Sequence, residues 1–318
     1  MVQVLRFADL EAGITVSGHV RVLAGELAPT RNGGHFHRLR LADRAGVEIT
    51  ARRFGCGSVP PAAGTVVSVT GLAEAFQGTL SLKLSTCVED PSVPLADFLP
   101  HVPENRRVTL DDFDALVASI ANASLEAVVR SCFPSDVRRR FTLAPAAVRH
   151  HGAAVGGLLA HTVRVARIAQ ALVELVPSVD RDMVCAVALL HDLGKLEELL
   201  PEPGAGLSQR GMLVGHVTLG VMAVGEAIKT VPEFPSERAD LLLHAIIAAH
   251  GRLEYGAPVV PATLEALIVH LADQAEATIE AGLEAIERGA PGAAWTVYLP
   301  SFGTRLRVPA ATGERVAG

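Results

Sequence analysis

Ala186-Val187-Ala188-Leu189-Leu190-His191-Asp192-Leu193-Gly194-Lys195 is an apolar helical run that ends on a histidine and a carboxylate. An ionised aspartate at such a place is costly to bury unless something pairs with it. A bound divalent metal meets that need, because neutral imidazole nitrogen and carboxylate oxygen are ordinary metal ligands. The same anomaly recurs outward from this stretch. In Leu158, His161, Val165, Ile168 and Leu172, steps of three and four trace an apolar helix stripe, and His161 holds one of its positions. His216 opens the stripe His216, Gly220, Ala223, Ala227; His244 and His250 share the segment Leu241 to His250; Asp273 follows the apolar run Leu264 to Ala272. One histidine on an apolar face is ordinarily a satisfied core residue. Repetition across five helical segments points instead to one metal centre. Ser178 or Asp180 caps the helix leading to His191, and Gly194 lets the chain leave it.

Nitrogen and oxygen donors without thiolate favour Mn, Fe, Mg, Co or Zn and argue against a closed structural zinc site. Lys195 stands one helical turn from His191, where a cation could hold a phosphate. It is conspicuous as one of three lysines against 25 arginines. No G-x-x-x-x-G-K-[ST] or G-x-G-x-x-G motif occurs, so neither a nucleotide P-loop nor a Rossmann cofactor site is supported.

A length of 318 residues suits two domains better than one. Residues 1–90 carry nine basic and eight acidic side chains, and the remainder 19 against 26, so no basic block advertises nucleic acid. Cys56, Cys87, Cys132 and Cys185 are far apart and form no C-x-x-C, which argues against a zinc ribbon or a disulfide framework. No signal peptide is visible, and the longest apolar run, Met183 to Leu190, is too short for a bilayer. The expectation is a cytoplasmic protein with no membrane partner and an oligomeric state left open.

Residues 1–90 read as strands. Ile14, Val16, Val20 and Val22 alternate with polar or small residues, as do Leu80, Leu82 and Leu84. Turn chemistry at Gly33-Gly34, Asp43 to Gly46, Gly55 to Gly64 and Gln77-Gly78 separates five short strands. Five strands suit a small closed barrel, an OB-fold first and an SH3-like barrel as the alternative. In His35 to Leu41 the period of two puts Phe36, Arg38 and Arg40 on one face and Leu39 and Leu41 on the other; Thr50, Arg52 and Phe54 share a side of the next strand. A ring beside arginines suits single-stranded nucleic acid, and solvated strand arginines are the competing reading. Pro91 to Pro103 reads as a linker, after which the period turns helical. The triplet Arg138-Arg139-Arg140 reads as a solvated helix face. The fold class expected is multidomain and mainly α: a barrel over 1–90, a linker and helical subdomain over 91–150, a helical metal domain over 151–290 and a tail over 291–318.

The order H…HD…H…H…D with His-Asp-x-Gly-Lys at its centre resembles the HD phosphohydrolase superfamily. Gly156-Gly157-Leu158-Leu159-Ala160-His161-Thr162, Tyr255-Gly256-Ala257-Pro258 after His250-Gly251, and an OB-like domain in front resemble the YhaM family of bacterial 3′-to-5′ exoribonucleases. The resemblance implies an all-α HD bundle and hydrolysis of single-stranded RNA or DNA with one or two divalent ions, Mn²⁺ first. His161, His191, Asp192 and Asp273 would hold one ion. Asp192 would bridge to a second held by His216 with His244 or His250. Asp192 and Lys195 would be the catalytic residues, and Asp192→Ala would abolish activity with little loss of fold. His150 and His151 resemble a pair that is either solvent-exposed or in contact with phosphate. One departure stands out: the family's His-His-Gly is Ala249-His250-Gly251 here. A small-nucleotide phosphohydrolase, a single-strand-binding protein with a degenerate HD site, and a di-iron oxygenase are the rival readings.

Overall fold

Alternation along the first 90 residues closes into a five-stranded barrel. The computed structural model describes residues 5–309 apart from 31, 45, 58, 77–78, 149–151, 202–204 and 290–291. His150 and His151 lie outside the described residues. Strands β1 (Thr15–Pro29), β2 (His35–Ala42), β3 (Glu48–Phe54), β4 (Val66–Phe76) and β5 (Thr79–Glu89) close in the order β1-β2-β3-β5-β4. All pairs are antiparallel except β3 with β5. This is the OB-like barrel the spacing predicts. Inward residues such as Val20, Leu39, Leu41, Ala51, Val69 and Leu82 fill it, while their neighbours face out. Closure leaves no edge strand of this sheet open.

Two compact units divide the chain at 101/102. In the second, the segment 102–148 shares one core with the helices that follow. Helices α1 (Leu110–Ala118), α2 (Ala123–Cys132) and α3 (Ser135–Leu143) contribute Phe113, Phe133 and Phe141, whose rings meet at centroid distances of 4.8 to 5.3 Å. α4 (Gly157–Val173) and α5 (Arg181–Leu190) form the centre. The chain continues through α6 (Lys195–Glu198), α7 (Gln209–Val214), α8 (His216–Thr230), α9 (Ser236–Ile247) and α10 (Leu264–Glu287). Side-chain caps set the frame: Thr109 and Asp112 form a capping box on α1, Asp180 accepts from the Met183 amide, and Thr263 caps α10. α4 packs against both α5 and α10. Among the described residues no helix is long and apolar enough to cross a membrane.

Candidate metal centre

Every element of the second unit's centre delivers a ligand-type side chain at an end or an inward face. α4 brings His161, and α10 brings Asp273 two turns into its length. α5 stops at Leu190, so His191 is its C-terminal cap and Asp192 falls in the turn that follows. His216 is the first residue of α8, and His250 lies in the turn beyond α9. Gly194 makes the approach possible: a Cβ there would overlap the His216 carbonyl and come 2.6 Å from the Gly220 amide. Its φ of −65° is ordinary, so it is glycine for close packing of α8 and not for leaving the helix. At Gly251 the backbone is left-handed, φ 72°, and the His270 ring occupies the place of a side chain.

The outer hydrogen bonds fix the state of four imidazoles. His161 Nδ1 meets Glu276 Oε2 at 2.7 Å, and His191 Nδ1 meets the Ala188 carbonyl at 2.8 Å. His216 Nδ1 meets Glu198 at 2.9 to 3.0 Å, and His250 Nδ1 meets Asp273 Oδ2 at 3.0 Å. Each partner is an acceptor, so each Nδ1 donates to it, and Nε2 is the ring atom turned inward and available to a metal. Those Nε2 atoms converge. His161 and His191 Nε2 are 3.3 Å apart, and His161 Nε2 lies 3.1 Å from Asp192 Oδ2 and 3.3 Å from Asp273 Oδ1. His216 and His250 Nε2 are 2.8 Å apart, each 3.8 Å from Asp192 Oδ1. That Oδ1 is buried and has no hydrogen-bond partner among the described residues. Two groups result, His161-His191-Asp192 and Asp192-His216-His250, with Asp192 in both.

Lone pairs and carboxylates facing one another repel unless positive charge lies between them. Burial opposes charge on His161, yet hydrogen bonds to Asp192, Asp273 and Glu276 hold its pKa well above the usual histidine value. Burial would raise Asp192 and Asp273, yet their cationic and imidazole partners keep both below the usual carboxylate range. The site thus favours positive charge, either as a proton on His161 or as a bound cation. Its nitrogen and oxygen donors fit a divalent ion, and the unpartnered Asp192 Oδ1 is the atom that a second ion would satisfy.

Lys195 is part of the arrangement in another way than its sequence position suggests. Its Nζ lies 2.7 Å from Asp192 Oδ2, and that neighbour keeps the part-buried ammonium charged against the opposing effect of burial. His244 does not join the others: its Nε2 accepts from the Ala262 amide at 3.0 Å, and it is in neither group. The shared segment Leu241 to His250 is not one helix, because α9 ends at Ile247 and His250 lies beyond it. Ala249 is buried among core residues, and the second group has three donors without that position. Glu276 and Glu198 escape the sequence reading. Both look like ordinary helix carboxylates, and only their i+3 spacing from Asp273 and Lys195 hints at a shared face. Arg164 and Glu280 extend the network, Arg164 Nη1 lying 3.1 Å from Glu276 and 2.9 Å from Glu280.

On the barrel, Phe36, Arg38, Arg40 and Arg52 share the outer face with Phe54. Phe36 and Phe54 are cross-strand partners stacked at 5.1 Å. The cations there are matched by acids: Arg38 with Glu26 at 2.8 Å, Arg40 with Glu48 at 3.2 Å, Arg52 with Glu74 at 3.8 Å. In the arginine triplet, Arg138 pairs with Asp114 and Arg140 with Glu197.

Residues 158–278 match the HD domain family. The chain is 30% identical over 288 residues to the 3′-5′ exoribonuclease YhaM of Bacillus subtilis, covering 89% of this chain and 91% of that protein. It is 28% identical over 293 residues to the YhaM of Listeria monocytogenes serotype 4b, covering 90% and 93%. The second OB-fold domain of replication protein A from Methanococcus maripaludis overlays 28% of this chain and 97% of its own length, at 14% identity and a TM-score of 0.24. With an HD domain that implies a divalent metal, and with a barrel in front, the chain belongs to the YhaM family of 3′-5′ exoribonucleases.

Proposed function

We infer that the protein is a metal-dependent phosphodiesterase that removes nucleotides from the 3′ end of single-stranded RNA, and of DNA where a 2′-hydroxyl is not required. The observation that carries the metal chemistry is Asp192, buried and common to two groups of inward lone pairs. Direction and substrate rest on the YhaM relatives. His161, His191, Asp192 and Asp273 would hold one ion, and Asp192, His216 and His250 a second; Mn²⁺ is the ion proposed first, and mixed imidazole and carboxylate donors also accept Fe, Co or Zn. A divalent ion supplies a bound water of lowered pKa and polarises a phosphoryl oxygen. The chain's own residues prepare that chemistry. Glu276, Glu198, Asp273 and the Ala188 carbonyl hold the four rings in one tautomer. Lys195 holds the Asp192 carboxylate and offers positive charge to a phosphate beside it. His191 and Asp192 form a buried floor, while His161, His216, His250 and Asp273 are partly open to substrate. The stacked pair Phe36 and Phe54 on the barrel would retain bases of a longer strand. Four free cysteines suit a reducing, cytoplasmic setting. The degenerate-site reading loses its motive, because Ala249 is a core residue and the second group has its three donors without it.

The test is single-stranded RNA labelled at its 5′ end and incubated with Mn²⁺. The expected product is a ladder that shortens from the 3′ end. Immediate release of labelled mononucleotide, internal fragments, or uncut RNA with every divalent metal would overturn the reading.

A further inference from the structure

The chain has one tryptophan and two tyrosines, and all three line adjoining clefts of the second unit. A cleft of about 510 Å3 begins at His250 and Asp273 and includes Tyr255. A second, of about 740 Å3, includes Trp295, Tyr298 and Arg305. The two share Ala281, Ser301 and Phe302, so they form one continuous groove. α10 is its floor. Asp273, Ala277, Ala281 and Ala285 recur every four residues along one helix face, and the small side chains keep the floor low over about 18 Å. The wall comes from the segment after α10, which folds back on itself through bridges Trp295–Arg307 and Leu299–Thr304. Trp295 and Tyr298 are 56% and 57% exposed there, an unusual placing for rings of that size. Residues 292–309 contain two arginines and no acid, and Arg305 is exposed with no ion-pair partner among the described residues. Arg38, Arg40 and Arg52 on the barrel's outer face, by contrast, are each matched by a glutamate.

We propose that this groove receives the last few nucleotides of the single-stranded substrate. Bases stack on Trp295, Tyr298 and Phe302, Arg305 takes a phosphate, and the 3′ end lies at His250 and Asp273. The proposal rests on the nuclease reading above and deepens it. Rings that accept any base, one unpaired cation and a floor that ends on candidate metal ligands match a nucleic-acid strand. An apolar protein segment would need neither the cation nor that end point.

Trp295 is the only tryptophan, so its emission reports on the groove directly. The full chain is mixed in stopped flow with a phosphorothioate-linked tetraribonucleotide, and emission is followed before turnover. Saturable quenching is expected. Tyr298→Ala should weaken binding about tenfold, Tyr298→Phe should restore it, and Arg305→Ala should weaken it and flatten its salt dependence. Silent Trp295 emission, affinity in both alanine variants equal to that of the unmodified chain, or quenching by an apolar peptide in place of RNA would each overturn the proposal. Cleavage of 5′-labelled RNA is measured beside it. Cleavage with a silent groove removes this proposal alone, whereas quenching by RNA without cleavage supports the groove and removes the nuclease reading.

Discussion

The two units handle charge in opposite ways. In the helical unit, His191 and Asp192 are 0% and 1% exposed, and their neighbours are bound to a closed set of partners. On the barrel's outer face, Arg38 and Glu26 keep more than half of their side-chain surface in water, at 58% and 60%. Water screens the second pair and leaves it worth about 0–1 kcal/mol. It is excluded from the first group, where removing a member leaves charge or lone pairs uncompensated. One region therefore suits a cation, and the other, on the function proposed above, a passing strand. Substitutions should separate them by magnitude.

The largest effect is expected at Asp192. Asp192→Ala should lower turnover by more than about hundredfold, since even residues behind metal ligands cost 10–100-fold. Some loss of stability is expected beside it. Lys195, with 16% of its side chain exposed, loses its carboxylate, a change expected to cost about 1–3 kcal/mol. Denaturant unfolding of the variant would show this, and unchanged stability would mean that Lys195 finds water or another partner.

Glu276→Gln comes next. It keeps the shape but weakens the hold on the His161 Nδ1 proton, and metal affinity should fall about 10–100-fold. The matched barrel substitution, Glu26→Gln, should leave metal affinity alone. Equal metal titrations for both proteins would erase the contrast between the regions.

Phe54→Ala and Phe36→Ala should each weaken binding of a long strand by about 1–3 kcal/mol without slowing hydrolysis of a very short one. Measured affinity that depends on neither ring would remove the barrel face from the account. Ala249→His should add no metal ligand. It forces an imidazole into a packed core and should cost about 1–3 kcal/mol of stability. Higher metal occupancy in that variant would show instead that position 249 reaches the second group.

The smallest effect is expected from replacing Glu26, Glu48 and Glu74 together by glutamine. Stability should change by no more than about 1 kcal/mol per pair. Strand binding should strengthen and its salt dependence steepen, because the arginines are freed for phosphate. No change at low salt would mean that these arginines never meet the strand.

The barrel was legible because one-sided burial enforces a period of two, as Leu39 and Leu41 against Arg38 and Arg40 show. Most of the ligand set was legible because a polar residue in an apolar helix has to be explained. What escaped was whatever the sequence presents as ordinary. Glu276 is 3% exposed, yet a glutamate on a helix reads as solvated until the fold shows what covers it. His244 misled because periodicity continues past Ile247 in the sequence while the helix does not. The segment 291–318 read as a tail because its prolines and glycines hide any alternation. Only its packing on α10, with Leu306 and Phe302 beside Gly282, brings its rings to a groove.

The central claim is that one buried carboxylate serves two metal ions. Metal counting with electron paramagnetic resonance on the Mn²⁺-loaded full chain tests it most directly. The account predicts two ions per chain with spin coupling between them, and loss of that coupling in Asp192→Ala. A single ion, or two uncoupled ions that persist unchanged in Asp192→Ala, would contradict it.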